Sequence, residues 1–209
     1  MSETDRIRHI YDERAATYDR GIGVTERLLL GPFRREFGAR LRGDTLEIGI
    51  GSGLNLPYYT DAVAHASGID LSSEMLQIAA RRAAGLGLTV SLAQGDAEHL
   101  PFAEASFDTV AISLALCTIP HPDAALREMA RVCRLDGRIV LLEHVLSPWF
   151  PVATAERLLS PLQERAMGCH LDRDTIGLAR SLGFTIEEEQ QRILGVFRLV
   201  VATPPRSHP

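Results

Sequence analysis

Glycines 49, 51 and 53 stand at two-residue intervals, with Glu47 just before them and Asp70 about 20 residues after them. The stretch Thr45-Leu46-Glu47-Ile48-Gly49-Ile50-Gly51-Ser52-Gly53-Leu54-Asn55 passes from an apolar run into a glycine-rich turn, and helix-compatible sequence follows. Glycine lets backbone come close to a bound molecule where side chains would collide. Asp70 ends a second apolar run, which places a carboxylate for the hydroxyls of a ribose. The chemistry implied is the holding of a nucleotide-type cofactor. A second set of residues could move protons. His121 follows Ile119-Pro120, Glu143 precedes His144, and His170 follows Gly168-Cys169. Each imidazole could orient or deprotonate a substrate, or equally bind backbone and hold a loop. Cys117 reads as a small buried hydrophobe.

These residues need a frame, and the pattern supplies one. Strands are predicted at residues 44–49, 65–70, 88–93, 107–114 and 138–146. Helical segments fall between them: a turn or short helix at 54–63, a helix from a cap at Ser72 or Ser73 to Ala84, and an amphipathic helix at 122–134. Asp136-Gly137 reads as a turn. Such alternation implies βαβ units and a mostly parallel sheet. Ahead of the first strand lie a polar, tyrosine-bearing helix at 3–20 and a second at 23–42. The second offers Leu28, Leu29, Leu30, Phe33 and Phe37 for packing, with a break or a restart at Pro32. Residues 147–171 read as a helix and loops over the strand ends. A helix at 172–181, capped by Asp172 or Asp174, precedes a hairpin of 184–190 and 193–202, with Gly195 as its bulge. Pro204 onward reads as disordered.

The chain has 209 residues, enough for one domain with a sizeable core. Its net charge of -5 does not fit a phosphate-backbone binder, so no nucleic acid is expected as partner. All 22 basic residues are arginine, which removes lysine nucleophiles and Schiff-base chemistry. The three cysteines, Cys117, Cys133 and Cys169, form no paired motif, in keeping with a reducing compartment and no zinc site. With no run of roughly 20 apolar residues and no apolar leader, a cytoplasmic location is expected, without stable membrane insertion but with room for peripheral lipid contact. No metal is expected, and oligomeric state is not readable.

Gly49-x-Gly51-x-Gly53 with Glu47 in the strand resembles motif I of class I S-adenosylmethionine (SAM)-dependent methyltransferases, and the resemblance extends over nearly the whole chain. Tyr11-Asp12-x-x-Ala15-x-x-Tyr18-Asp19 resembles the N-terminal lid of the ubiquinone and menaquinone methyltransferase-like group. Gly68-Ile69-Asp70-Leu71-Ser72-x-x-Met75-Leu76 resembles the next motif. Gly95-Asp96-Ala97-Glu98-x-Leu100-Pro101-Phe102 resembles the adenine-side motif. Arg134-Leu135-Asp136-Gly137 departs from the family's Arg-Pro-Gly-Gly. The resemblance implies a Rossmann-like α/β fold: a seven-stranded, mostly parallel sheet with an antiparallel C-terminal strand and helices on both faces. Residues 1–43 would be a lid, and 44–203 the methyltransferase domain, with a substrate-covering insertion near 147–171.

It also implies roles. The backbone at Gly49, Gly51 and Gly53 would face the methionine part of SAM, and Glu47 would order that loop. Asp70 would bind the ribose, Leu71 and Met75 would flank the adenine, and Asp96 and the Ala97 amide would meet its edge. Ser113 and Leu114 would sit beside the methyl group, and Tyr11 and Tyr18 would close the lid. Glu98 reads as a solvated turn residue. His144, His121 and His170 are the candidate catalytic residues. The expected reaction is in-line methyl transfer to a thiol, amine or hydroxyl of a small molecule, leaving S-adenosylhomocysteine. Ser113-Leu114-x-Leu116-Cys117, Glu143-His144-Val145 and Gly168-Cys169-His170-Leu171-x-Arg173 resemble the methyltransferase-like 7 thiol methyltransferases and their bacterial relatives. Those relatives include phosphatidylethanolamine N-methyltransferases, so a phospholipid or quinone acceptor at the membrane surface is the alternative. Trp149-Phe150 reads as the wall of an apolar pocket rather than a lipid contact, because no basic residues cluster beside it.

Overall fold

The computed structural model describes residues 1–25 and 30–205. Leu28 and Leu29 of the expected second helix, and residues 206–209 of the expected disordered tail, lie outside them.

One seven-stranded sheet runs through the molecule in the order β3-β2-β1-β4-β5-β7-β6. Its strands are β1 Gly43–Ile48, β2 Val63–Asp70, β3 Val90–Gln94, β4 Phe107–Ser113, β5 Cys133–His144, β6 Thr185–Arg192 and β7 Phe197–Thr203. β1 to β5 pair in parallel, and β7 lies antiparallel between β5 and β6. The helices are α1 Glu3–Thr25, α2 Gly31–Gly38, α3 Ser73–Leu86, α4 Pro122–Val132, α5 Phe150–Met167 and α6 Thr175–Ser181. The expected Rossmann-like architecture, with its antiparallel C-terminal strand, is present.

The two-residue period of the strands sends alternate side chains to opposite faces. Val110, Ile112, Ile139, Leu141 and Val200 pack with α4 and α6 residues such as Leu126, Met129 and Ile176. Ala111, Val140, Leu142 and Leu199 pack on the other face against Phe33, Phe37 and Leu41. Both faces are therefore covered, which is why the central strands read as continuous apolar runs. Burying one such side chain contributes about 1.5–3 kcal/mol.

Local chemistry sets the helix limits. Ser72 caps α3 by accepting from the Met75 amide at 3.1 Å, and Gly87 closes that helix in the left-handed region. Asp174 caps α6 through the Gly177 amide at 2.8 Å. Gly168, also left-handed, ends α5, and its bare Cα lies against Ile7 of α1.

Four local expectations change. Residues 134–137 are not a turn ahead of a strand but a bulge within β5. Pairing jumps from Phe107–Cys133 to Thr109–Arg138, and the Arg134–Asp108 ion pair holds the bulge. Gly195 belongs to the hairpin turn, and the bulge of that hairpin falls between Ile186 and Glu188. Pro204 is buried rather than free. Helix α1 continues without a break to Thr25.

Candidate active site

β1 and β4 are neighbours, but the chain leaves them toward opposite edges of the sheet. Their following loops diverge, and the crevice beyond their carboxyl ends is where open α/β sheets bind ligands. A cleft of about 990 Å³ opens there. β1 and its loop bring Glu47, Gly49 and Gly51 to it. The end of β2 and the start of α3 bring Asp70, Leu71 and Met75. Asp96 and Ala97 follow β3, Ser113 and Leu114 end β4, and α1 adds Tyr11 and Tyr18. Gly53 is not in the lining. A Cβ there would lie 2.7 Å from Leu56 and 3.3 Å from Ala79, so this glycine lets the loop pack on α3. At Gly51, with φ near +55°, the space where a Cβ would stand is open.

Asp70 connects the two sides of the cleft. One carboxylate oxygen accepts from the Gly51 amide at 2.8 Å and the other from the Ser72 amide at 2.9 Å. Each oxygen keeps a further acceptor position. Burial raises the Asp70 pKa, and the two amides oppose that shift.

Beneath the glycine turn lies a buried polar chain. Glu47 accepts from the Asn55 side chain at 2.5 Å and from the Tyr59 hydroxyl at 2.6 Å. Arg34, only 6% exposed, donates to Asn55 at 2.8 Å and to Ser113 at 3.3 Å. Burial pushes Glu47 up to about 7, against the pull of these bonds and of the Arg34 charge. Arg34 and Asn55 both line the cleft and escaped the sequence reading. The signal for Arg34 was helical phase: it stands on the same face as Leu30, Phe33 and Phe37, where an arginine requires a partner.

The tyrosine–aspartate pairs of α1 divide their work. Tyr11 and Tyr18 enter the cleft, with ring centroids 6.1 Å apart. Asp12 accepts from the Ser72 hydroxyl at 2.5 Å, and Asp19 accepts from Ser52 at 2.6 Å and pairs with Arg82. Each aspartate thus fastens α1 to one lip of the cleft.

Leu114 holds a positive φ of 54°, rare for a branched residue, at the end of β4. The loop beyond it is tied from two sides. Buried Glu143 accepts from the Ala115 and Leu116 amides at 3.1 and 3.2 Å, and burial pushes it up to about 8. Arg173 donates to the carbonyls of Leu116 and Ile119 at 2.8 and 2.6 Å. Glu98 is buried rather than solvated, and accepts from the His121 amide at 2.8 Å.

The three histidines stand outside the cleft lining. His144 packs edge-on against Phe197, with Nε2 3.5 Å from Glu156 of α5. Burial lowers its pKa. His121 begins α4 with an exposed side chain. His170 lies 3.7 Å from Glu164, and its amide donates to the Cys117 carbonyl at 2.9 Å. Among the described residues, Glu3, Glu164 and His170 form one group whose ligand atoms lie within 4.8 Å of one another. Trp149 and Phe150 wall no part of the cleft and are 60% and 79% exposed.

Comparison with known proteins now decides the family. A methyltransferase domain model matches residues 46–141. A phosphatidylethanolamine N-methyltransferase of Cereibacter sphaeroides is 37% identical over 175 residues, covering 81% of this chain and 83% of that protein. The chain belongs to the SAM-dependent methyltransferases. A ubiquinone/menaquinone biosynthesis C-methyltransferase of Bdellovibrio bacteriovorus is 32% identical, covering 66% of this chain and 61% of that protein. A SAM-dependent methyltransferase structure from Thermotoga maritima superposes with a TM-score of 0.70 at 20% identity, over 94% of this chain and 99% of that one. The methyltransferase fold is shared with a geranyl diphosphate methyltransferase in complex with sinefungin, at a TM-score of 0.66 and 16% identity, over 82% and 75% of the chains.

Proposed function

We propose that this methyltransferase transfers the methyl group of SAM to the amine of a phospholipid headgroup, working at a membrane surface. The donor set of the cleft suits SAM. Asp70 has acceptor positions left for two ribose hydroxyls, Leu71 and Met75 offer apolar walls for the adenine, and Asp96 and the Ala97 amide stand at its edge. The open backbone at Gly51 would face the methionine portion. When bound, SAM supplies a methyl group on a positively charged sulfur, and the protein contributes alignment and exclusion of water. Tyr11, kept a neutral phenol by burial, brings to the cleft a hydroxyl able to donate or accept a hydrogen bond. Ser113 and the strained Leu114 border the place of transfer.

The observation that carries the lipid reading is helix α5, which is turned inside out. Its inward face holds Ala153, Glu156 and Ser160, while Leu158 and Leu162 stand 76% and 68% exposed beside Phe150 and Leu159. Soluble helices bury the apolar stripe. Here the stripe faces outward, with Trp149 at its start and the exposed Arg157 and Arg165 along it, which suits an anionic bilayer. The similarity to a phosphatidylethanolamine N-methyltransferase supports the same reading. Among the described residues no helix is long and apolar enough to cross a membrane, so the contact would be peripheral. The test combines co-sedimentation with phosphatidylethanolamine–phosphatidylglycerol vesicles and release of S-adenosylhomocysteine. Leu158→Asp with Leu162→Asp is expected to abolish vesicle binding and lipid turnover and to leave SAM affinity unchanged. Lipid turnover that survives the double variant would refute it.

A second reading is favoured by the position of the histidines. With no imidazole in the described cleft lining, a thiol is the acceptor that needs least help, since its pKa of about 8.5 leaves some thiolate at neutral pH. Turnover of a soluble alkyl thiol, with none of the lipid, would select it.

A further inference from the structure

Two of the three cysteines meet beside the cleft. Cys117 Sγ and Cys169 Sγ lie 3.1 Å apart, although 52 positions separate them in the chain. Cys117 sits in the loop after β4, whose Leu114, Ala115, Thr118, Ile119 and Pro120 line the cleft. Cys169 follows Gly168 at the end of α5. The backbones already touch there, through the His170 amide and the Cys117 carbonyl at 2.9 Å. A disulfide requires sulfurs about 2.05 Å apart, so closing by about 1 Å would join them.

We propose that Cys117 and Cys169 form an oxidation site, at which hydrogen peroxide converts the thiol pair to a disulfide that stiffens the loop bordering the cleft. Exposure orders the steps: Cys117 is buried, while Cys169 is partly open to solvent. Cys169 sulfur, as thiolate, attacks the peroxide. A sulfur–oxygen bond forms, the oxygen–oxygen bond breaks, and the departing hydroxide is protonated to water. Cys117 then loses its proton, and its sulfur attacks that of Cys169. The sulfur–oxygen bond breaks, and its oxygen leaves with that proton as a second water. Two thiols and one peroxide give one disulfide and two waters, and a dithiol reverses the change. The guanidinium of Arg173, fixed on the Leu116 and Ile119 carbonyls, favours the thiolate over the thiol. Cys169 is held below the ordinary thiol range chiefly by its bond to Cys117 and to a lesser extent by the Arg173 charge, against burial and the Glu143 carboxylate. Cys133, buried in β5 with its sulfur toward the Arg138 carbonyl, has neither partner nor access and serves as an internal control.

The experiment exposes the full-length protein to hydrogen peroxide and follows intact mass, peptide mapping and amide hydrogen exchange. Expected are a loss of two mass units, a linked Cys117–Cys169 peptide with Cys133 still free, and exchange in residues 114–120 slowed by about tenfold or more. Dithiothreitol should restore both mass and exchange. Cys169→Ser and, separately, Cys117→Ser should each abolish the linked peptide, whereas Cys133→Ser should not. Overoxidation of Cys169 to sulfinic acid without a linked peptide would overturn the proposal. So would a disulfide between two molecules, or a linked peptide with unchanged exchange in 114–120. None of these readouts depends on the methyl acceptor.

Discussion

Replacing Glu143 by glutamine should stabilise the protein near neutral pH, whereas replacing it by alanine should damage it. Glu143 is fully buried, and its pKa rises from 4.5 to about 8. The folded state therefore holds a proton that the unfolded chain releases across this window. The group's contribution is fully present below about pH 4.5 and is lost as pH rises to about 8. From pH 5 to pH 7 the native protein loses about 2 kcal/mol on this account, and about 1 kcal/mol more by pH 9. Glu143→Gln keeps an oxygen for the Ala115 and Leu116 amides and does not titrate. Its stability relative to the native protein should rise over the same window. Glu143→Ala leaves two buried amides without acceptors, at about 1–3 kcal/mol each, before any cavity is counted. For a chain of this length that is a fall of roughly 5–20 °C in Tm. Thermal unfolding by circular dichroism at pH 5, 7 and 9 measures all three proteins. Other groups titrate too, but the variant-minus-native difference isolates Glu143. If the glutamine variant fell as far as alanine at pH 7, the carboxylate charge would be what holds the loop, through Arg173, and the reasoning would fail.

Two further outcomes follow from the cleft. Removing both clamps of α1, with Asp12→Ala and Asp19→Ala, should weaken SAM binding by about tenfold while costing no more than about 2 kcal/mol of global stability, since both bonds lie at a partly exposed rim. Calorimetric titration beside denaturant unfolding checks it, and unchanged SAM affinity would count against the lid. Glu47, raised to about 7 by burial, should lose its proton when the cationic cofactor binds. SAM affinity should then tighten as pH rises from about 6 to about 8, with proton release measurable by titration in buffers of different ionisation enthalpy. A flat profile would show that Glu47 does not feel the ligand.

What the sequence disclosed was short-range. Gly49 and Gly51 offer backbone, and Asp70 its carboxylate, at fixed spacing from strand ends, so their joint placement at the cleft could be read directly. The mostly parallel sheet followed from the alternation of apolar strands with helical segments. The surroundings of the candidate histidines were not legible, because they depend on where a distant segment returns. His144 finds Glu156 only when α5 packs down, and His170 reaches Cys117 in the β4 loop only when the end of α5 returns to it. Arg34 needed the phase of a helix that begins at Gly31-Pro32. Trp149-Phe150 suggested burial by composition, yet α5 shows solvent its apolar side. The bulge at 134–137 looked like a turn because Asp-Gly marks either.

The position of β7 has a consequence for how the chain is made. It is the last strand in the sequence, yet it fills an interior place, pairing Ile139 to His144 of β5 on one side and Thr185 to Arg192 of β6 on the other. Emerging from the ribosome, β5 is complete more than fifty residues before its partner arrives. Through that interval β5, whose Ile139, Val140, Leu141 and Leu142 are all buried in the finished fold, is an open edge, and open edges recruit other chains. Truncation before Phe197 would leave that edge exposed for good, so the hairpin at the end of the chain acts as the seal on vectorial folding.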